Sequence, residues 1–212
     1  MDAGIPIWTY WRSGGLLLIP LALTSIAIWA WFLHLRRHYV AMLRASEGVI
    51  HTLVTMDPAR EAGQLDARLA TVPGVFATRL RALVDEVRNG SREEAAFDRS
   101  ERMARQAWRR DLIMLAALTS VAPLLGLLGT VAGMIATFDA VATAAGQTTS
   151  RIADGISTAL ITTQFGLIIA LPGVFGLARL NRLIRALEVR WAECRSMVQA
   201  MGISPHNTGV MP

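Results

Sequence analysis

Hydrophobic positions along this chain fall in three long blocks, and polar positions fill the stretches between them. The first block covers residues 16–35, with His34 its only ionisable side chain. The second covers 112–138 and the third 156–178, and neither contains Asp, Glu, Lys, Arg or His. A helix needs about 20 apolar residues to cross a hydrocarbon core of about 30 Å, and each block reaches that length. Buried helices of soluble proteins are usually shorter and rarely stay uncharged for so long. Lipid admits only helices and closed barrels, because no water is present to satisfy free backbone groups. None of the blocks alternates with a period of two, so the pattern predicts an all-α integral membrane protein with three transmembrane helices. The first block follows an acidic start (Asp2) and precedes no small-residue cleavage site, so it reads as an uncleaved anchor.

The polar stretches carry helical patterns of their own. Within 36–111 these lie at 38–54, 61–69 and 75–88, punctuated by Pro58, Pro73 and Gly74. A further helix starts after Ser91, where Ser91-Arg92-Glu93-Glu94 has the form of a capping box, and runs into the second block without a break. Beyond the third block, Leu180, Leu183, Ile184, Leu187 and Trp191 keep helical spacing until Gly202 and Pro205. This last helix is expected to pack on the one that leads into the second block. The predicted layout is an outer segment 1–13, a span 14–35, a cytoplasmic helical domain 36–111 and a span 112–138. A short outer loop 139–155 with Gly146, Gln147 and Thr148 at its tip, a span 156–178 and a helical tail 179–212 complete it. Long helical extensions of the spans then form a cytoplasmic bundle.

Charge sets the orientation. All 21 basic residues are arginine. Nineteen lie in the stretches after the first and third blocks, and only Arg12 and Arg151 lie on the other side. Arginines flanking the spans stay in the cytoplasm, so the N-terminus is predicted outside and the C-terminus inside. Trp8, Tyr10 and Trp11 at one border, and Trp31, Phe32, Tyr39 and Trp108 at the other, suit the aromatic belts of a bilayer. The net charge of +5 does not point to nucleic acid, because the arginines are interleaved with acids.

Composition removes several chemistries. With no lysine, neither a Schiff base nor a P-loop is possible. The single cysteine, Cys194, excludes an internal disulfide. His34 and His38 are spaced i, i+4 but sit at a membrane border beside Arg36 and Arg37, and read as interfacial residues rather than a metal site. No nucleophile–base pair is visible, so no enzyme, cofactor or metal is predicted.

The second block reads Ala122-Pro123-Leu124-Leu125-Gly126-Leu127-Leu128-Gly129-Thr130-Val131-Ala132-Gly133-Met134. Ala122, Gly126, Thr130 and Thr137 fall close to one helical face, with the GxxxG pair Gly129 and Gly133 beside it. Small residues let helix backbones approach closely in lipid, so Gly126, Gly129, Gly133 and Gly166 are expected to serve helix packing. The third block places Ser157, Thr158, Thr162, Thr163 and Gln164 within eight residues. Such a cluster faces protein or a water-filled path more readily than lipid. Proton relays and ion-coupled motions usually need an ionisable group at depth, and these two blocks have none. Either the chain moves no ion and is a membrane scaffold, or a partner brings the carboxylate.

These residues resemble the ExbB/TolQ/MotA family of ion-channel and motor subunits. The match lies in residues 122–131 with Gly133, Met134 and Phe138. It continues in Gly155-Ile156-Ser157 with 159–163 and Gly166-Leu167, then in Ala170-Leu171-Pro172. MotA-like stators have four spans, so the three-span ExbB/TolQ branch fits better, with ExbB ahead of TolQ by a narrow margin. The resemblance implies a homopentameric ring in a bacterial inner membrane, around single-span partners like ExbD or TolR whose aspartate takes up protons. It also implies a TonB-like or Tol-like protein as the element driven, with membrane lipids as the surroundings. In the family, one threonine in each of the last two spans lines the path, and by motif these are Thr130 and Thr163, with Thr162 and Thr158 beside them. Thr158 stands where many ExbB sequences carry a glutamate. The resemblance therefore brings no acid to that position, and a hydroxyl-rich path suits sodium as well as protons.

Overall fold

A computed structural model of the chain describes residues 17–56, 64–89, 92–143 and 148–201. The elements are α1 (Leu18–Thr55), α2 (Leu65–Ala70), α3 (Val75–Arg88), α4 (Glu93–Thr143) and α5 (Thr148–Ala200), with no strand among the described residues. Three of them, α1, α4 and α5, are long and apolar enough to cross a membrane. The protein is therefore an all-α membrane protein.

Helices α4 and α5 outrun their apolar blocks at both ends, and α1 outruns its block at the C-terminal end. The first block and the pattern at 38–54 form one helix of 38 residues, because Arg36, Arg37 and His38 change what surrounds the backbone without breaking it. Residues 139–143 and 148–155, expected in an outer loop, are helical continuations of α4 and α5. Polarity marks the border of an apolar environment, whereas a helix ends where glycine, proline or a cap stops it. The Ser91 cap, the aromatics Trp8, Tyr10 and Trp11, the tip residues Gly146 and Gln147, and the stop at Gly202 and Pro205 lie outside the described residues.

The chain divides into two compact units. One is formed by Met1–Leu33 with Ile113–Ala178, the other by His34–Leu112 with Arg179–Pro212. The first unit exposes large apolar side chains along its helices, including Leu23, Leu127, Ile135, Leu160 and Phe175. A soluble surface seldom carries so much contiguous apolar area; lipid or neighbouring subunits tolerate it. Its interior is built from small residues on α4 and α5, with Leu18 and Leu21 of α1 packed on Ala122 and Ala170.

The second unit has an ordinary apolar core. Helix α3 buries Phe76, Ala77, Leu80, Leu83, Val84 and Val87, which form one face of an amphipathic helix. Trp191 of α5 meets the Phe76 ring edge-on, with centroids 5.3 Å apart. Gly74, between α2 and α3, has φ +130°, and a side chain there would also approach the Ala45 Cβ to 2.8 Å. Arg195 of α5 pairs with Asp98 at 3.0 Å and Glu101 at 3.7 Å on α4. The tail helix thus lies on the helix that leads into the second span. Burial, with the Glu193 carboxylate adding to it against Arg190, pushes the Cys194 thiol up to about 12. It packs as a small apolar group and is not a nucleophile at neutral pH.

One polar contact in this core is specific. The Tyr39 hydroxyl of α1 donates to Asp111 Oδ2 of α4 at 2.6 Å. Tyr39 is 1% exposed. Burial first, then the hydrogen bond and the negative charge of Asp111, raise the phenol above its ordinary pKa, with Arg79 opposing. Because the folded-state pKa lies above the unfolded one, this contribution is fully present below about pH 10 and is lost as pH rises further. Tyr39→Phe is expected to cost about 1.5–3 kcal/mol by removing a hydrogen bond to a charged group. Thermal melting at pH 7 in detergent checks it, and an unchanged melting temperature would refute the contact's contribution.

Candidate functional site

The α4–α5 pair is held by a seam of residues spaced three and four apart. On α4 these are Thr119, Ala122, Gly126, Gly129, Gly133 and Thr137; on α5 they are Gly155, Ala159, Thr162, Gly166, Ala170 and Gly173. Steps of three and four that average 3.6 match the turn of an α-helix and so keep one stripe facing a partner helix. The register is antiparallel. Gly173 lies against Thr119, Gly166 against Ala122 and Gly126, Thr162 against Gly129, Ala159 against Gly133, and Gly155 against Thr137.

Each glycine in this seam stands where the opposite helix occupies the space of a side chain. A Cβ built on Gly166 meets the Ala122 carbonyl oxygen at 2.7 Å and the Gly126 Cα at 3.2 Å. One on Gly126 meets the Thr163 Cα at 3.0 Å and the Thr162 carbonyl oxygen at 3.1 Å. Gly133 is less confined, with the Ala159 Cβ at 3.1 Å as its nearest neighbour. Gly129 and Gly155 are filled by the side chains of Thr162 and Thr137 respectively. By sequence, Thr130 shares a face with Ala122 and Gly126, and Gly129 and Gly133 lie beside it. In the structure Gly129 is buried with Ala122 and Gly126, and Thr130 is half-buried at the edge.

The hydroxyls separate in the same way. Thr162 is 1% exposed and donates to the Ala159 carbonyl at 2.8 Å, with the Gly126 carbonyl a longer second acceptor at 3.5 Å. Thr163, half-buried, donates across the pair to the Gly126 carbonyl at 3.1 Å. In an α-helix that carbonyl also accepts the N–H four residues on, which here belongs to Thr130. The Thr130 hydroxyl donates to the Leu127 carbonyl at 2.7 Å. Gly126 thus ties the backbone of one threonine to the hydroxyl of the other. Ser157 and Gln164 are exposed, while the Thr158 side chain lies outside the described ones.

A threonine hydroxyl has one proton to give and two lone pairs to offer. The protons of Thr130 and Thr163 go to backbone carbonyls, so each oxygen keeps its lone pairs as an acceptor. Acceptors of this kind hold a cation, a water or a neutral carboxylic acid. Neither hydroxyl can act as an acid or base near pH 7.

A family model described as the MotA/TolQ/ExbB proton channel family matches residues 68–193, more than half of the chain. The chain belongs to this family. The match takes in all of α3, the second span, the seam and the first part of the tail helix. Among curated proteins, the chain is 44% identical over 73 residues to "Biopolymer transport protein exbB1" of Vibrio cholerae, covering 34% of this chain and 32% of that protein. It is 38% identical over 98 residues to "Tol-Pal system protein TolQ" of Haemophilus influenzae, covering 43% of each. It is 29% identical over 168 residues to "Biopolymer transport protein ExbB" of Pseudomonas putida, covering 75% of this chain and 50% of that protein. The matched parts span about a third to a half of these relatives' lengths. The stretches 112–138 and 156–178, which carry this seam apart from Gly155, contain no ionisable residue.

Proposed function

We propose that this protein is the channel and motor subunit of an ExbB-type complex in a bacterial inner membrane, with its N-terminus periplasmic and its C-terminus cytoplasmic. Five copies form a ring around single-span, ExbD-like partners. The partner supplies a membrane aspartate, and the complex couples the proton motive force to a TonB-like protein for energised outer-membrane transport. The observation that carries the reading is the pair Thr130 and Thr163, linked through the Gly126 carbonyl in spans that hold no acid of their own.

The two hydroxyls give the partner aspartate a place to rest between proton uptake and release. With their protons directed at carbonyls, they accept a hydrogen bond from the neutral, protonated acid and not from the carboxylate. Protonation therefore favours docking of the partner helix at the threonines, and deprotonation favours its departure. Thr162 serves the seam in this reading, and Gly126, Gly129, Gly133 and Gly166 set how closely α4 and α5 approach. A TolQ-type role in a Tol-Pal envelope system is the second reading, favoured by the similarity to the Haemophilus influenzae protein.

The test is purification of the tagged protein from its own host in mild detergent, followed by native mass spectrometry. A five-subunit assembly retaining a small protein with one span and an aspartate in it supports the coupling reading. A subunit or ring that never carries such a partner overturns it in favour of a non-conducting scaffold.

A further inference from the structure

The second unit holds a groove of about 240 Å³ between α4 and α5. Its apolar lining is Trp108 and Ile184, both nearly buried, with the half-buried Leu112. Its rim carries Arg105, Arg109, Asn181, Arg185 and one acid, Glu188, which faces Arg105. These arginines are not equivalent. Arg105 is neutralised by Glu101 at 2.6 Å and lies 3.6 Å from Glu188. Arg109 and Arg185 are exposed and form no ion pair among the described residues. Two free guanidinium groups thus share the groove with an apolar lining and the Asn181 amide.

Its place along the chain is equally specific. Leu112 is the last residue of this unit before the apolar stretch of α4, and Asn181 follows the charge-free stretch of α5 by three residues. Along both helices the groove thus adjoins the end of an apolar stretch long enough to cross a membrane. It is smaller than the roughly 300–1,000 Å³ that encloses a whole small molecule, which suits a ligand that inserts only its polar end. Guanidinium groups match the geometry of a phosphate, and basic pockets beside spans recognise lipid headgroups.

We propose that this groove is a binding site for the headgroup of an anionic phospholipid of the adjoining leaflet. Arg109 and Arg185 hold the phosphate, Asn181 hydrogen-bonds the headgroup, and Leu112 guides the chains toward the bilayer. The proposal needs only the membrane spans and not ion coupling, so its failure would leave the function proposed above untouched.

The experiment is native mass spectrometry of the full-length protein in mild detergent, titrated with phosphatidylglycerol or with phosphatidylcholine of the same chains. The wild type is expected to hold phosphatidylglycerol at least about tenfold more tightly. Arg109→Gln with Arg185→Gln should remove that preference and leave phosphatidylcholine adducts unchanged. Arg36→Gln with Arg37→Gln, which removes the same charge from α1, should leave the preference in place. Equal binding of the two lipids by the wild type overturns the site even if the double variant fails to assemble. A preference that survives in the Arg109/Arg185 variant overturns it as well. Displacement of the lipid by an equimolar amount of glycerol phosphate would assign the groove to a free phosphate ligand and overturn the lipid reading.

Discussion

Gly166→Val is expected to abolish the folded α4–α5 pair. The added Cβ meets the Ala122 carbonyl oxygen at 2.7 Å and the Gly126 Cα at 3.2 Å, and both belong to backbone that cannot rotate away. The helices must part, and every contact along the seam loosens with them. Overpacking a tight interior usually costs about 1–3 kcal/mol, and the two further methyl groups of valine place this variant at or above the upper end. Yield of monodisperse protein in detergent should collapse, and any remainder should melt well below the wild type. Gly133→Ala provides the contrast. Its nearest obstacle is the Ala159 Cβ at 3.1 Å, which needs a shift of only a few tenths of an ångström, so it should stay close to wild type. Gly129→Ala lies between them, because it meets the Thr162 side chain. Changing Thr162 to glycine in the same chain should recover part of the loss, whereas no side-chain change can rescue Gly166. A Gly166 variant as stable as the Gly133 variant would show that the seam is not as close as described.

Much of this seam is legible in the sequence once both spans are read together. The steps 122, 126, 129, 133 on one helix and 155, 159, 162, 166, 173 on the other carry almost only Gly, Ala and Thr. Read on one helix alone, Gly126 and Thr130 share a face as well as Gly126 and Gly129 do, because 3.6 residues per turn place i+3 and i+4 on either side of a line. The partner decides between them. Thr162 occupies the space over Gly129, and this moves Thr130 to the edge. The same pairing separates Thr162 from Thr163, two adjacent hydroxyls that composition cannot tell apart. The three spans were visible because a bilayer imposes a minimum length of uncharged sequence. The helix ends were not, since a helix continues through polar residues whenever its neighbours stabilise it. Tyr39 and Asp111 lie 72 positions apart, and no local pattern announces their contact.

Thr163→Val is expected to keep the fold and remove the function. Valine has nearly the shape of threonine, so the half-buried space beside Gly126 stays filled. The lost bond runs from the Thr163 hydroxyl to a carbonyl that retains its helical partner, the Thr130 N–H. Hydrogen bonds between membrane helices contribute about 0.6 kcal/mol on average, so melting should fall only slightly. Function is expected to respond differently, because the proposed role uses the hydroxyl oxygen as an acceptor. Without it, a protonated carboxylic acid or a hydrated cation in the proposed role would lose one of the two oxygens that hold it. Proton-coupled activity, measured as energised uptake per assembled complex in cells lacking the native copy, should fall at least about tenfold, close to the 1.4 kcal/mol that one such contact supplies. Thr163→Ser retains the oxygen and should recover most of the activity. Thr130→Ala should give a similar loss. The double variant should lose less than the product of the two, since both oxygens serve one bound group. Full activity in Thr163→Val, with normal assembly, would remove the threonine pair from the ion path and leave the seam as its whole role.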